Sequence, residues 1–100
     1  MRGKLFKLSA RVSSSTPDAI EPVLRKWVKK GSVTRVSNEF IVVAELEGPS
    51  AKELNRSLLT ELRRAEKRTR LRSEWTRDDM TERFFDYVLK RTEKAQKTKK

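Results

Sequence analysis

The sequence predicts an α+β domain of two layers, a sheet with helices laid on it, its elements ordered β-α-β-β-α-β with one extra C-terminal helix. Three observations carry that expectation. Apolar residues switch repeatedly between a period of two and one near 3.6, turn-forming residues mark the switches, and one hundred residues can build one core but hardly two. A single domain over residues 1–92 is expected, followed by a basic tail, 93–100, too polar to pack.

The first strand is read from "KLFKLSARVSS", where Phe6, Leu8, Ala10 and Val12 share one parity and Lys7, Ser9 and Arg11 the other. In "STPDAIEPVLRKWVKKG" the spacing changes: Ile20, Val23, Leu24, Trp27 and Val28 fall on one helical arc, with Thr16 and Pro17 as cap and first residue and Gly31 available to end it. Pro22 is a competing start. "SVTRVSNEFIVVAELEG" gives two strands meeting at Ser37 and Asn38. The second is apolar on both parities, through Phe40, Val42, Ala44 and Leu46 on one side and Ile41 and Val43 on the other, as in a strand covered on both faces. Ser50 and Glu53 then form a capping box ahead of a stripe of Ala51, Leu54, Leu58, Leu62 and Ala65.

Residues 50–100 contain neither glycine nor proline, so one long helix competes with a break near residue 69. Leu71 would lie about 100° and Trp75 about 60° from Leu54 on a continued helix. Leu71, Ser73 and Trp75 instead alternate with Arg70, Arg72 and Glu74, which favours an edge strand over 69–77. A last helix is expected from "RDDMTE", capped by Asp79 and Glu82, with Met80, Phe84, Phe85, Tyr87, Val88 and Leu89 as its apolar arc.

This element order resembles the ferredoxin-like α/β plait. Many plaits that bind RNA stack bases on aromatics of the two central strands, the first and third. This chain departs from them: the exposed parity offers Lys7, Ser9, Arg11, Ile41, Val43 and Glu45, without an aromatic, and no GxxG loop exists to clamp a backbone. In a plait Ile41 and Val43 need a cover, either the last helix or a second copy.

Charge is the main functional signal. Lys and Arg total 25 against 14 Asp and Glu, a net +11; the last eleven residues hold six bases and one acid, which leaves +6 on residues 1–89. The folded part is itself basic, as in domains that bind nucleic acid, anionic membrane or acidic protein. Without cysteine or histidine, disulfides, thiol and imidazole chemistry and the usual zinc sites are excluded, and no glycine-rich phosphate loop is present, so no enzyme activity, cofactor or metal is expected. "SSS" at 13–15 reads as a polar turn, and lacks the glycine of the small acyl-phosphate hydrolases of the plait fold. The longest apolar run, "FIVVA", is too short for a membrane span, and a cytoplasmic protein is expected. Few amides and no cysteine also suit a thermophile.

The candidate contacts lie in two groups. "RRAEKRTRLR" contributes Arg63, Lys67, Arg68, Arg70 and Arg72 as the centre. Lys52 and Arg56 precede Arg63 and Lys67 on a helical stripe about 22 Å long, and Arg25, Lys26 and Lys29 face away from Trp27 on the first helix. Two adjacent helices would merge these into one basic surface for phosphates, on RNA more than DNA, with weak sequence readout. The simpler alternative is that such residues are solvated helix formers, and that bases on an edge strand serve to discourage aggregation. A different class of function competes: an assembly subunit that binds an acidic protein, with the last helix or the open sheet face available for a homodimer.

Overall fold

A computed structural model describes residues 3–94. Its elements are β1 (Lys4–Ser13), α1 (Pro17–Trp27), β2 (Gly31–Val36), β3 (Glu39–Gly48), α2 (Ala51–Ala65), β4 (Arg70–Arg77), β5 (Met80–Phe85) and β6 (Val88–Lys94). All strand pairs are antiparallel, and they form one sheet in the order β2-β3-β1-β4-β5-β6.

This corrects the expected architecture. The fold is a six-stranded antiparallel sheet with two helices, and not the ferredoxin-like plait with a C-terminal helix. The segment up to residue 92 expected as that helix is part of a β-hairpin over 80–94, so a homodimer through a C-terminal helix is excluded with it. Asp79 and Glu82 cap nothing: Asp78 and Asp79 are a two-residue hairpin turn, and Glu82 lies opposite Trp75 in the ladder. Two-residue hairpins need positive φ at a central position, usually supplied by glycine. Here Ser37, Asp78 and Asp86 take φ of 56°, 58° and 57°, a conformation that aspartate reaches more easily than most residues. The sheet's extension also moves β4 inward, between β1 and β4's new neighbour β5, so its arginines do not guard an edge.

One face carries both helices. Phe6, Leu8, Ala10 and Val12 of β1, Phe40, Val42 and Ala44 of β3, Leu71 and Trp75 of β4 and Phe84 of β5 are buried there against Ile20 and Leu24 of α1 and Ala51, Leu54, Leu58, Leu59 and Leu62 of α2. Alternation alone dictates this for β1, because a single shift of register would turn every one of its side chains to solvent; β3, apolar on both parities and expected to be covered on both faces, buries Phe40, Val42 and Ala44 but leaves Ile41 and Val43 exposed. α1 starts at Pro17 with Thr16 as N-cap, and Pro22 is accommodated within it. The Ser50 side chain accepts the Glu53 amide at 3.1 Å, as the capping pattern requires. Ala65, placed on the apolar stripe, is exposed; Asn55 takes its place in the interior.

Two polar clusters tie the elements together. In the core, Asn55 Oδ1 accepts from Ser73 Oγ (2.5 Å) and Trp75 Nε1 (3.2 Å), while Asn55 Nδ2 donates to the Asp86 carbonyl (2.8 Å). At the end of α2, Glu66 accepts from the Arg68 amide (2.9 Å), the Ser14 hydroxyl (2.8 Å) and the Ser15 amide (3.1 Å), binding the β1–α1 turn to the α2–β4 turn. The Arg68 amide, then the two serine donors, hold the Glu66 carboxyl below its ordinary value of 4.5 against an opposing desolvation. A depressed folded-state pKa gives stability that is present above the unfolded value and lost as pH falls through the folded one. Glu66→Gln should therefore be less stable than wild type by a constant amount above about pH 4.5, the gap closing on further acidification. Urea unfolding at pH 7 and pH 3 measures it; a gap that persists undiminished at pH 3 would contradict the assignment.

The described part of β6 extends to Lys94, past the expected domain limit at residue 92; the rest of the predicted tail, 95–100, lies outside the described residues.

Candidate nucleic-acid interface

Among the described residues, nothing covers the face of the sheet opposite the helices. Cross-strand pairing arranges its side chains in rows, because directly opposed residues of antiparallel strands point the same way. One row runs Ile41, Arg11, Arg72, Phe85 and Val88 across β3, β1, β4, β5 and β6; the next runs Val43, Ser9, Glu74, Arg83 and Arg91. A β-bulge in the β5–β6 pairing leaves Lys90 as the extra residue, between Leu89 opposite Phe84 and Arg91 opposite Arg83. Bulges commonly re-aim a side chain, and Lys90 joins Ser9, Arg11, Ile41, Arg72, Glu74, Arg83 and Phe85 around a shallow trough of about 460 Å³.

The trough is basic for a reason that lies in the register. Arg11 sits directly opposite Arg72, and Arg83 directly opposite Arg91, pairings that ordinarily cost stability. Carboxylates stand beside two of these bases: Glu39 lies 3.6 Å from Arg11 and Glu74 3.6 Å from Arg83. Arg72 forms no ion pair among the described residues, and its guanidinium lies over the Phe85 ring, 5.1 Å from the centroid. Arg70 takes the same ring at 5.0 Å while its Nε donates to Asp86 Oδ2 at 2.9 Å. Phe85 is thus clasped by two cations, one anchored and one not.

The sequence-predicted contacts are not brought into one surface. Arg70 and Arg72 belong to the open face. Arg25, Lys26 and Lys29 of the α1 region and Lys52 and Arg56 of α2 are exposed on the opposite, helical side. Arg25 is bonded to Glu21 (2.8 Å) and Arg56 is 3.4 Å from Glu53, i,i+4 and i,i+3 pairs that spend their charge locally. Arg63 is a brace: its Nε donates to the Thr69 carbonyl (3.0 Å), a terminal nitrogen reaches Asp86 (3.5 Å), and its guanidinium covers Tyr87, 5.3 Å from the ring centre. α2 ends at Ala65, so Lys67 and Arg68 lie in the turn beyond it instead of extending a helical stripe.

Sequence reasoning missed Phe85, Arg83 and Lys90 as site residues, and did not assign Arg11 to the site although it placed Arg11 on the open face. The signal for β5 was present: Thr81, Arg83 and Phe85 alternate with Met80, Glu82 and Phe84 between two aspartate turns. Phe85 brings an aromatic to the open face from β5, while β1 and β3 present none there, as expected of those two strands.

Among the described residues no group of three or more His, Cys, Asp or Glu is placed to hold a metal, and no helix is long and apolar enough to cross a membrane. No protein-family model, curated protein or solved structure matches the chain.

Proposed function

We propose that this chain is a small, non-catalytic nucleic-acid-binding domain that holds its partner through phosphate contacts on the open sheet face. The observation that supports it best is the direct opposition of Arg11 and Arg72 beside Phe85. Folding alone gains nothing from two arginines facing one another across a ladder, whereas a bound phosphate turns the repulsion into two charge-assisted hydrogen bonds. Departures from local design rules of this kind are where functional sites are expected. RNA suits the site better than a DNA duplex, since unpaired nucleotides and irregular backbones present themselves to a sheet face while a regular duplex does not.

The test is fluorescence anisotropy with a stem-loop RNA across a salt series, comparing Arg72→Glu/Arg83→Glu with Lys52→Glu/Arg56→Glu. Both variants change net charge equally. The sheet variant should lose at least tenfold in affinity and flatten the slope of log K on log salt by roughly 1.5, the share of two phosphate contacts. The helix variant should lose only what a uniform change of field removes. Equal losses would return the interface to the general field of the protein, and absence of binding by the wild type at physiological salt would end the proposal.

A second reading has its own observation. Leu5, Ile41 and Val43 are exposed on the β1–β3 half of the same face, and Val36 at the end of β2. A second copy laid over them would bury this apolar strip, a protein–protein function of the kind exposed apolar patches mark. Light scattering on eluting protein in the same salt series distinguishes it: a dimer that persists at high salt supports this reading.

A further inference from the structure

Resting on the nucleic-acid reading, we infer that the trough takes an unpaired segment of single-stranded nucleic acid, with one base stacked at Phe85 and neighbouring phosphates on Arg11, Arg72, Arg83 and Lys90. Shape is the first reason. A shallow trough of about 460 Å³ has room for a nucleotide or two turned inward, and unpaired bases can turn into it where the bases of a duplex stay paired and stacked. Span is the second. From Ile41 on β3 to Phe85 on β5 the row crosses three strand intervals, about 14 Å at the usual spacing, which three or four stacked nucleotides would fill at about 3.4 Å each.

Chemistry is the third reason. The row begins and ends on apolar side chains, Ile41 and Val88, and holds Phe85 beside its two arginines. Base faces stack on aromatic rings and on guanidinium planes, without regard to base identity, while phosphates take the free edges of the same guanidinium groups. Arg70 is tied to Asp86, so it stays on the ring as a fixed plane. Arg72, which has no carboxylate among the described residues, is the cation able to swing from the ring to a phosphate as a base takes its place. Glu74, at the trough wall, keeps the site from being uniformly positive and disfavours a backbone running through the Val43–Arg91 row at that point. The strand is therefore expected to follow the Arg11–Arg72–Phe85 row.

The experiment uses the full chain and three fluorescent probes, a twelve-nucleotide oligouridylate, a twelve-nucleotide oligodeoxythymidylate and a blunt twelve-base-pair duplex of mixed sequence. Both single strands should bind at least tenfold tighter than the duplex at 100 mM salt. Phe85→Leu, which keeps an apolar residue on the sheet, should weaken single-strand binding by about five- to a hundredfold, the loss of one stack, leaving the salt slope unchanged. Phe85→Tyr should restore it, and Arg72→Gln should instead lower the slope by about 0.7. Duplex binding as tight as single-strand binding, or a Phe85→Leu variant indistinguishable from wild type in the presence of a native circular-dichroism spectrum, overturns the inference while leaving the phosphate-binding function standing. If no probe binds, the inference falls together with that function.

Discussion

Asn55→Ala is expected to lower the stability of the domain by about 3 kcal/mol, one of the largest losses available from a single polar side chain here. Asn55 is 1% exposed, and its amide joins three elements by bonds to Ser73, Trp75 and the Asp86 carbonyl. Truncation leaves the Ser73 hydroxyl without its acceptor and the Asp86 carbonyl without its donor, and opens a cavity under α2. Trp75 Nε1 keeps one partner, since it also donates to Ser73 Oγ at 3.0 Å. In a domain of this size the thermal midpoint should fall by roughly 12 °C or more. Ser57→Ala, two residues along on the exposed side of the same helix, should change stability by less than about 0.5 kcal/mol. A loss for Asn55→Ala no larger than that of the control would mean that the network is incidental.

Asp86→Ala should cost about 2 to 3 kcal/mol, for two separable reasons. The residue holds φ of 57° in the β5–β6 turn, and its carboxylate accepts the Leu71 amide (2.9 Å) and the Arg70 Nε (2.9 Å) with Arg63 nearby. Alanine forfeits both. Glycine recovers the backbone conformation without the bonds, and asparagine tolerates the conformation while keeping one acceptor, so stability should rise from alanine through glycine to asparagine, all below wild type. Hydrogen exchange should place the loss: amides of β5 and β6 are expected to open before those of α2 and β3. Uniform acceleration across the sheet would show that the hairpin is not a separate unit.

The same residue explains why the segment after β4 was misread. Asp86 in sequence is one acid among apolar residues, and Phe84, Phe85, Tyr87, Val88 and Leu89 around it satisfy a helical arc as well as two strands. What decides between them is tertiary: the Leu71 amide and carbonyl at β4's start, which pair with Asp86 Oδ1 and with the Asp86 amide. A short apolar run does not record which neighbour it will meet. Where one parity alone is apolar, as in Phe6 to Val12, alternation was sufficient; in β3 the apolar Ile41 and Val43 suggested a second covered face, and both are exposed. The Ser50 cap was equally plain, because it is complete within four residues.

The candidate site was legible as composition and not as place. Excess positive charge made "RRAEKRTRLR" the candidate segment, yet the segment turns a corner at Thr69, whose buried side chain bonds the Glu66 carbonyl at 2.7 Å. Arg63 and Arg64 before that corner belong to α2 and Lys67 and Arg68 to the turn; Arg70 and Arg72 after it face the open side. A stripe computed along one helix axis cannot anticipate a change of layer. Arg83 and Lys90 were hidden for the reason just given, that β5 and β6 were taken as one helix.

Strand β1 is the first strand of the chain, and its partners arrive at very different times. It pairs with β3 some thirty residues later and with β4 some sixty residues later. During synthesis from the N-terminus, β1 joins β3 and the helices while its other edge waits, unpaired, for a strand not yet made. Long-range closure of this kind is the slow step in antiparallel folds. The trough straddles that seam, with Arg11 on one side and Arg72 on the other. It does not exist in any chain that has stopped short of closure, so capacity to bind at this face would report the last event of folding and disappear with the first local opening of the β1–β4 ladder.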